Sequence, residues 1–145
     1  GYTVEDGDAW LGKPVDVLIP AALEVQITGQ TVGRIHERVR IIAEAANGPT
    51  TLEADEVLDR RGIFIVPDFV CNAGGVTVSY FESVQNDYNY YWSGEEVLHR
   101  LDQKMVSAFR AVLEMAEKER VSMRDAAYMV AIDRVVRAMQ FSGWL

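Results

Sequence analysis

Asn72, Val76 and Ser79 are the residues of this 145-residue chain whose types and spacing point most directly to chemistry. They belong to the run Asn72-Ala73-Gly74-Gly75-Val76-Thr77-Val78-Ser79, which lies between the apolar stretch Ile63 to Pro67 and the continuation Tyr80-Phe81-Glu82. On a helix beginning near Asn72, positions four and seven residues later return to nearly the same face, so the three side chains form one stripe. Gly74 and Gly75 then fall in the first turn, where bare backbone lets a ligand approach unpaired N–H groups at the positive end of the helix dipole. The chemistry implied is recognition of an anion, a carboxylate or a phosphate. The competing reading keeps Asn72 as a plain cap, Val76 as core, the glycines as close-packing positions and Ser79 as incidental.

Three short apolar runs precede polar or small corners. Val15 to Pro20 leads to Ala21-Ala22, Arg38 to Ala43 to Ala45-Ala46-Asn47-Gly48-Pro49, and Ile63 to Val66 to the Pro67 to Gly75 loop. A helix is expected from about Glu24 to Glu37. A second should open on a capping box of Thr50 and Glu53, reach Arg61 and stop at Gly62. Strand, helix, strand, helix, strand, helix is the order of a parallel α/β sheet, whose right-handed crossovers put all three corners along one edge. Asn47 and Asn72 bring amides able to donate and accept, and the small residues leave room. Turn formation alone also accounts for Asn47.

Beyond Ser79 the chain reads as wholly helical. Ser93 with Glu96 makes a capping pattern, followed by the stripe Leu98, Leu101, Met105, Ala108, Phe109, Val112 and Ala116. Ser122 opens a last helix with the stripe Ala127, Val130, Ala131, Val135 and Ala138, ending before Gly143; both stripes read as core. Tyr88, Tyr90, Tyr91 and Trp92 lie in the connection between helices and suit packing at a domain or subunit junction.

A net charge of −8 offers no basic surface for nucleic acid, and no apolar run approaches the ~18 residues of a membrane span. One cysteine, Cys71, excludes an internal disulfide and suits a reducing cytoplasm; it reads as a small packed thiol. His36 and His99 lack the spacing of metal ligands, so no metal site is expected.

Leu18-Ile19-Pro20-Ala21-Ala22-Leu23-Glu24, Ala46-Asn47-Gly48-Pro49-Thr50-Thr51 and Asn72 to Glu82, in this order and spacing, resemble the C-terminal part of a hexameric, bacterial-type glutamate dehydrogenase. The resemblance implies the second half of a Rossmann-like parallel sheet, three strands with crossover helices, followed by C-terminal helices. It places residues 1–78 in the NAD(P)-binding domain and 79–145 in a helical region leading back toward a substrate domain. It implies NAD or NADP as cofactor, L-glutamate and 2-oxoglutarate as ligands, and a homo-hexamer in the full-length protein. Ser79 matches the family serine that hydrogen-bonds the substrate's side-chain carboxylate, and Val76 an apolar wall of that pocket. Asn47 and Asn72 match residues near the nicotinamide and its ribose, and Ala21 and Ala22 a loop passing the cofactor.

No Gly-x-Gly-x-x-Gly turn precedes the first strand, and the family's catalytic lysine and aspartate have no counterpart, so no catalytic residue is assigned in this chain. The expectation is a fragment of roughly the last third of such an enzyme, inactive alone. Departures from the family pattern are Val25 for Asn, Ala45 for Gly, Cys71 for Ala and Ser83 for Trp. A leucine-, phenylalanine- or valine-type dehydrogenase, or a non-catalytic regulatory subunit or nucleotide-binding module of the same fold, are the alternatives.

Overall fold

The computed structural model describes residues 4–144. It contains two compact units, one ending at Asp68 and the other beginning at Phe69. In the first, strands β1 (Val17–Leu18), β2 (Ile41–Ala43) and β3 (Phe64–Val66) form a parallel sheet in that spatial order. Leu18, Ile42 and Ile65 stand side by side in the register, as do Val17, Ile41 and Phe64. Because successive residues face opposite sides, these rows belong to different faces. The first row meets a core of Leu11, Ile27, Val32, Ile35, Val39 and Leu58. The second stays open, with Val17 45%, Ile41 37% and Phe64 37% exposed. At the other end of the strands Arg38 donates twice to the Asp16 carboxyl, at 3.0 and 2.9 Å. These bonds hold the Asp16 carboxyl below its ordinary pKa.

The expected helix from Glu24 to Glu37 is absent. Its place is taken by a single bridge of Ile27 to Thr50 and a 3₁₀ turn at Val32–Arg34. Side chains compete here with helical backbone bonds. The Thr28 N–H donates to Thr31 Oγ1 at 2.8 Å, Thr31 Oγ1 donates to the Gln26 carbonyl at 2.9 Å, and Thr28 Oγ1 accepts from the Gln30 N–H at 3.2 Å. Such local bonds favour turns over helix. Val25, at φ 54°, already leaves the right-handed region.

The second crossover is helical. Helix α1 (Leu52–Arg60) is capped by Thr51, whose hydroxyl accepts from the Ala54 N–H, rather than by Thr50. Thr50 is taken up in the bridge to Ile27, and its buried hydroxyl has no hydrogen-bond partner among the described residues. Gly62 ends α1 in the left-handed conformation, φ 68°, as the sequence leads one to expect.

The short helix α2 (Asp68–Cys71) leads into α3 (Gly74–Tyr88), α4 (Gly94–Glu119) and α5 (Met123–Phe141). Ser93 and Ser122 cap α4 and α5, accepting from the N–H groups of Glu96 at 3.2 Å and Asp125 at 3.1 Å. Along α4, Val112 is buried and Leu101, Met105 and Phe109 are half-buried, but Leu98 is exposed. The α5 stripe is core only at its start. Met123, Ala126 and Ala127 are buried and Val130 half-buried, whereas Ala131, Val135 and Ala138 are exposed. Periodicity identified the face correctly as apolar, but among the described residues nothing covers the second half of that helix. No described helix is long and apolar enough to cross a membrane.

Candidate functional site

The corner after β2 ties together the strand ends of the first unit. The Pro20 carbonyl accepts from the N–H groups of Ala45 at 3.0 Å and Ala46 at 2.8 Å. The Gly48 carbonyl accepts from Val25 at 2.9 Å, and the Pro49 carbonyl from Gln26 and Ile27 at 2.9 and 2.8 Å. On the β3 side, the Gly48 N–H donates to Asp68 Oδ2 at 2.8 Å, and the Asp68 N–H to Glu44 Oε2 at 3.0 Å. Gly48 has φ 52°, a left-handed backbone that favours glycine. Pro20, Ala46 and Pro49 are buried beneath this surface, while Ala21, Ala22 and Asn47 are exposed on it. A surface of methyl groups with one exposed amide, on backbone fixed from three sides, fits the edge of a dinucleotide: flat apolar contact beside one bidirectional hydrogen-bonding group.

In the second unit, α3 begins at Gly74, two residues later than the helix expected to open at Asn72. Ala73 occupies the cap position without a side-chain bond, and Asn72 sits at the bend between α2 and α3, half-buried. The turn of helix formed by Asp68–Cys71 comes first, so Asn72 follows one helix instead of opening the next. The three-residue stripe is thereby corrected to a pair. Val76 and Ser79, three apart on α3, share a face. Both are exposed, Val76 at 71%, and the Ser79 hydroxyl takes part in no hydrogen bond among the described residues.

Beside this face, α3 and α4 enclose a groove of about 520 Å³, lined by Val76, Tyr80 and Phe81 on one side and Arg100 and Lys104 on the other. Trp92 organises its end. Its backbone N–H donates to Gln85 Oε1 at 2.7 Å, its ring meets Phe81 edge-on at 5.7 Å, and the Arg100 guanidinium lies 4.3 Å from its centroid. Arg100 also donates to Glu96 Oε1 at 2.7 Å. The sequence reading passed over Arg100 and Lys104, although basic residues four apart on a helix share a face and could have been noticed. It also gave no role to Glu44, a carboxyl directly after β2, or to Asp68, two residues beyond the end of β3.

Ala21, Ala22 and Asn47 thus lie on one corner of the first unit, and Val76 and Ser79 on one helix face of the second, with Asn72 at that helix's approach. His36 accepts from the Arg38 N–H through Nδ1, and His99 pairs with Gln103. No group of three or more His, Cys, Asp or Glu side chains that could hold a metal occurs among the described residues.

Comparison with known proteins adds an independent line. An NAD-specific glutamate dehydrogenase of Clostridioides difficile is 53% identical over 130 residues, covering 90% of this chain and 30% of that protein. Glutamate dehydrogenase from Peptoniphilus asaccharolyticus superposes with a TM-score of 0.82 at 46% identity, covering 88% of this chain and 32% of that one. Hetero-hexameric glutamate dehydrogenase from Thermus thermophilus, in a leucine-bound form, gives 0.87 at 29% identity, covering 93% and 32%. The chain therefore spans about three tenths of the length of these relatives. The family model for glutamate/leucine/phenylalanine/valine dehydrogenases matches residues 2–143, and the chain belongs to that family.

Proposed function

We propose that this chain is the cofactor-side and C-terminal part of an NAD-dependent glutamate dehydrogenase. The overall reaction takes L-glutamate, NAD⁺ and water to 2-oxoglutarate, ammonium, NADH and a proton. The observation that carries the reading is the open Val76 and Ser79 face of α3 in a chain of this family, since a hydroxyl beside an apolar wall suits the methylenes and terminal carboxylate of glutamate. A substrate with an apolar side chain would leave that hydroxyl nothing to bind.

In this reading Ser79 donates to the substrate's side-chain carboxylate, and Val76 packs against its methylenes. Ala21, Ala22, Asn47 and Asn72 border the cofactor, with the amides on the nicotinamide and ribose side. NAD held beside these residues would supply the acceptor for the hydride of the substrate's α-carbon. This chain's own residues bind and orient; none of them is assigned a proton transfer. Residues 1–78 act as the later half of the cofactor domain and 79–145 as the helical return. NAD rather than NADP is favoured by the NAD specificity of the Clostridioides difficile relative. The reading includes a hexamer, as in the Thermus thermophilus structure, working in the cytoplasm.

The test is Ser79→Ala in the full-length protein that carries this chain. We expect kcat/KM for glutamate to fall about tenfold or more, the size of a lost hydrogen bond to a charged group, with NADH affinity unchanged. Equal kcat/KM in variant and parent would remove the contact, and activity on leucine exceeding that on glutamate would remove the substrate assignment.

A further inference from the structure

The strand-end corner contains two carboxyl groups that the proposed reaction does not use. Glu44, directly after β2, is fully buried, and its Oε2 accepts from the Asp68 N–H at 3.0 Å. Asp68 in turn accepts the Gly48 N–H on Oδ2 at 2.8 Å. A carboxyl taken wholly out of water is retained only where its hydrogen bonds are good, and here it fixes the backbone of the residue whose side chain grips the next loop.

What is gripped is the peptide between Asn47 and Gly48. Its N–H is held by Asp68, and one residue on, the Gly48 carbonyl is held by the Val25 N–H at 2.9 Å. The peptide plane on the C-terminal side of Asn47 is thus held by Asp68, and on the N-terminal side the Ala46 N–H is held by the Pro20 carbonyl at 2.8 Å, which restricts the direction in which the exposed Asn47 side chain leaves the backbone. We infer that Asp68, seated on the buried carboxyl of Glu44, is a positioning residue for dinucleotide binding, acting through the Gly48 N–H on the Asn47 amide. This rests on the cofactor role proposed above for Asn47.

Three substitutions at Asp68 in the full-length protein separate this role from simple support of α2, because Asp68 is also the first residue of that helix. Asp68→Asn keeps an acceptor oxygen at the same reach. Asp68→Ser keeps a small polar hydroxyl at the start of α2 but is too short to reach Gly48. Asp68→Ala removes both. The readouts are the NADH dissociation constant by fluorescence titration, KM for glutamate, and the thermal midpoint. We expect Ala and Ser to weaken NADH binding about tenfold, Asn to restore it to within about twofold, and glutamate KM to change little. A Ser variant that binds NADH like the parent would show that support of α2 is the whole role, even if Ala fails to fold. Unaltered NADH binding in Ala would overturn the inference alone, while a parent protein that neither binds NADH nor reduces NAD with glutamate would overturn the cofactor reading and this inference with it.

Discussion

Val25 is a β-branched residue held at φ 54°, a region that costs an L residue with a branched Cβ roughly 1–2 kcal/mol. The strain is maintained by the hydrogen bonds of the neighbouring corner, where the Val25 N–H meets the Gly48 carbonyl. Asn tolerates this conformation better, and it is the residue the family resemblance puts here. Val25→Asn should therefore raise stability by about 1 kcal/mol, read as a higher urea midpoint at unchanged slope. A lowered midpoint would mean that the side chain's contacts outweigh the backbone strain. At this scale the sequence was informative where chemistry depends on spacing along one helix, as for Val76 and Ser79. It misplaced Asn72 because that reading depended on where the helix begins, and one extra turn, Asp68–Cys71, displaced the start by two residues.

Among elements, the three parallel strands and the helices α1, α3, α4 and α5 were legible from β-branched runs, apolar periodicity and capping residues. The first crossover was not, because Thr28 and Thr31 bond to each other's backbone and leave too few free groups for a helical ladder. The start of α1 shows the same limit at finer grain. Thr50 and Thr51 are equivalent by type, and only the parallel bridge to Ile27 decides that Thr51 is the cap. Thr51→Ala should cost about 1 kcal/mol, the usual loss for a cap. Thr50→Val should cost nothing or stabilise slightly, since it removes a buried hydroxyl that has no partner. Chemical denaturation of both variants decides it; a larger loss for Thr50→Val than for Thr51→Ala would return the cap to Thr50.

Over the whole chain, apolar surface remains uncovered in each unit. In the first it is the row Val17, Ile41 and Phe64 and the unpaired side of β1; in the second it is Ile132, Val135 and Phe141 of α5, exposed at 60%, 59% and 96%. Edge strands and exposed apolar faces drive association. The 145-residue chain studied by itself should self-associate in sedimentation velocity at micromolar concentration, and Val17→Lys should shift it toward smaller species. A monomer independent of concentration would contradict this. Where exposure was misjudged from sequence, as for Ala131 and Ala138, the pattern was right but its covering partner is not among the described residues. One last feature acts at this scale. Helix α4 has 26 residues, a rod of about 39 Å, and Trp92 pins its near end to α3 through Gln85 and Phe81. The helix bearing Val76 and Ser79 and the start of α4 are thus held at one shared junction. A tilt of α4 of about 10° about this junction would sweep its far tip at Glu119 through roughly 7 Å while leaving the Trp92 end almost still.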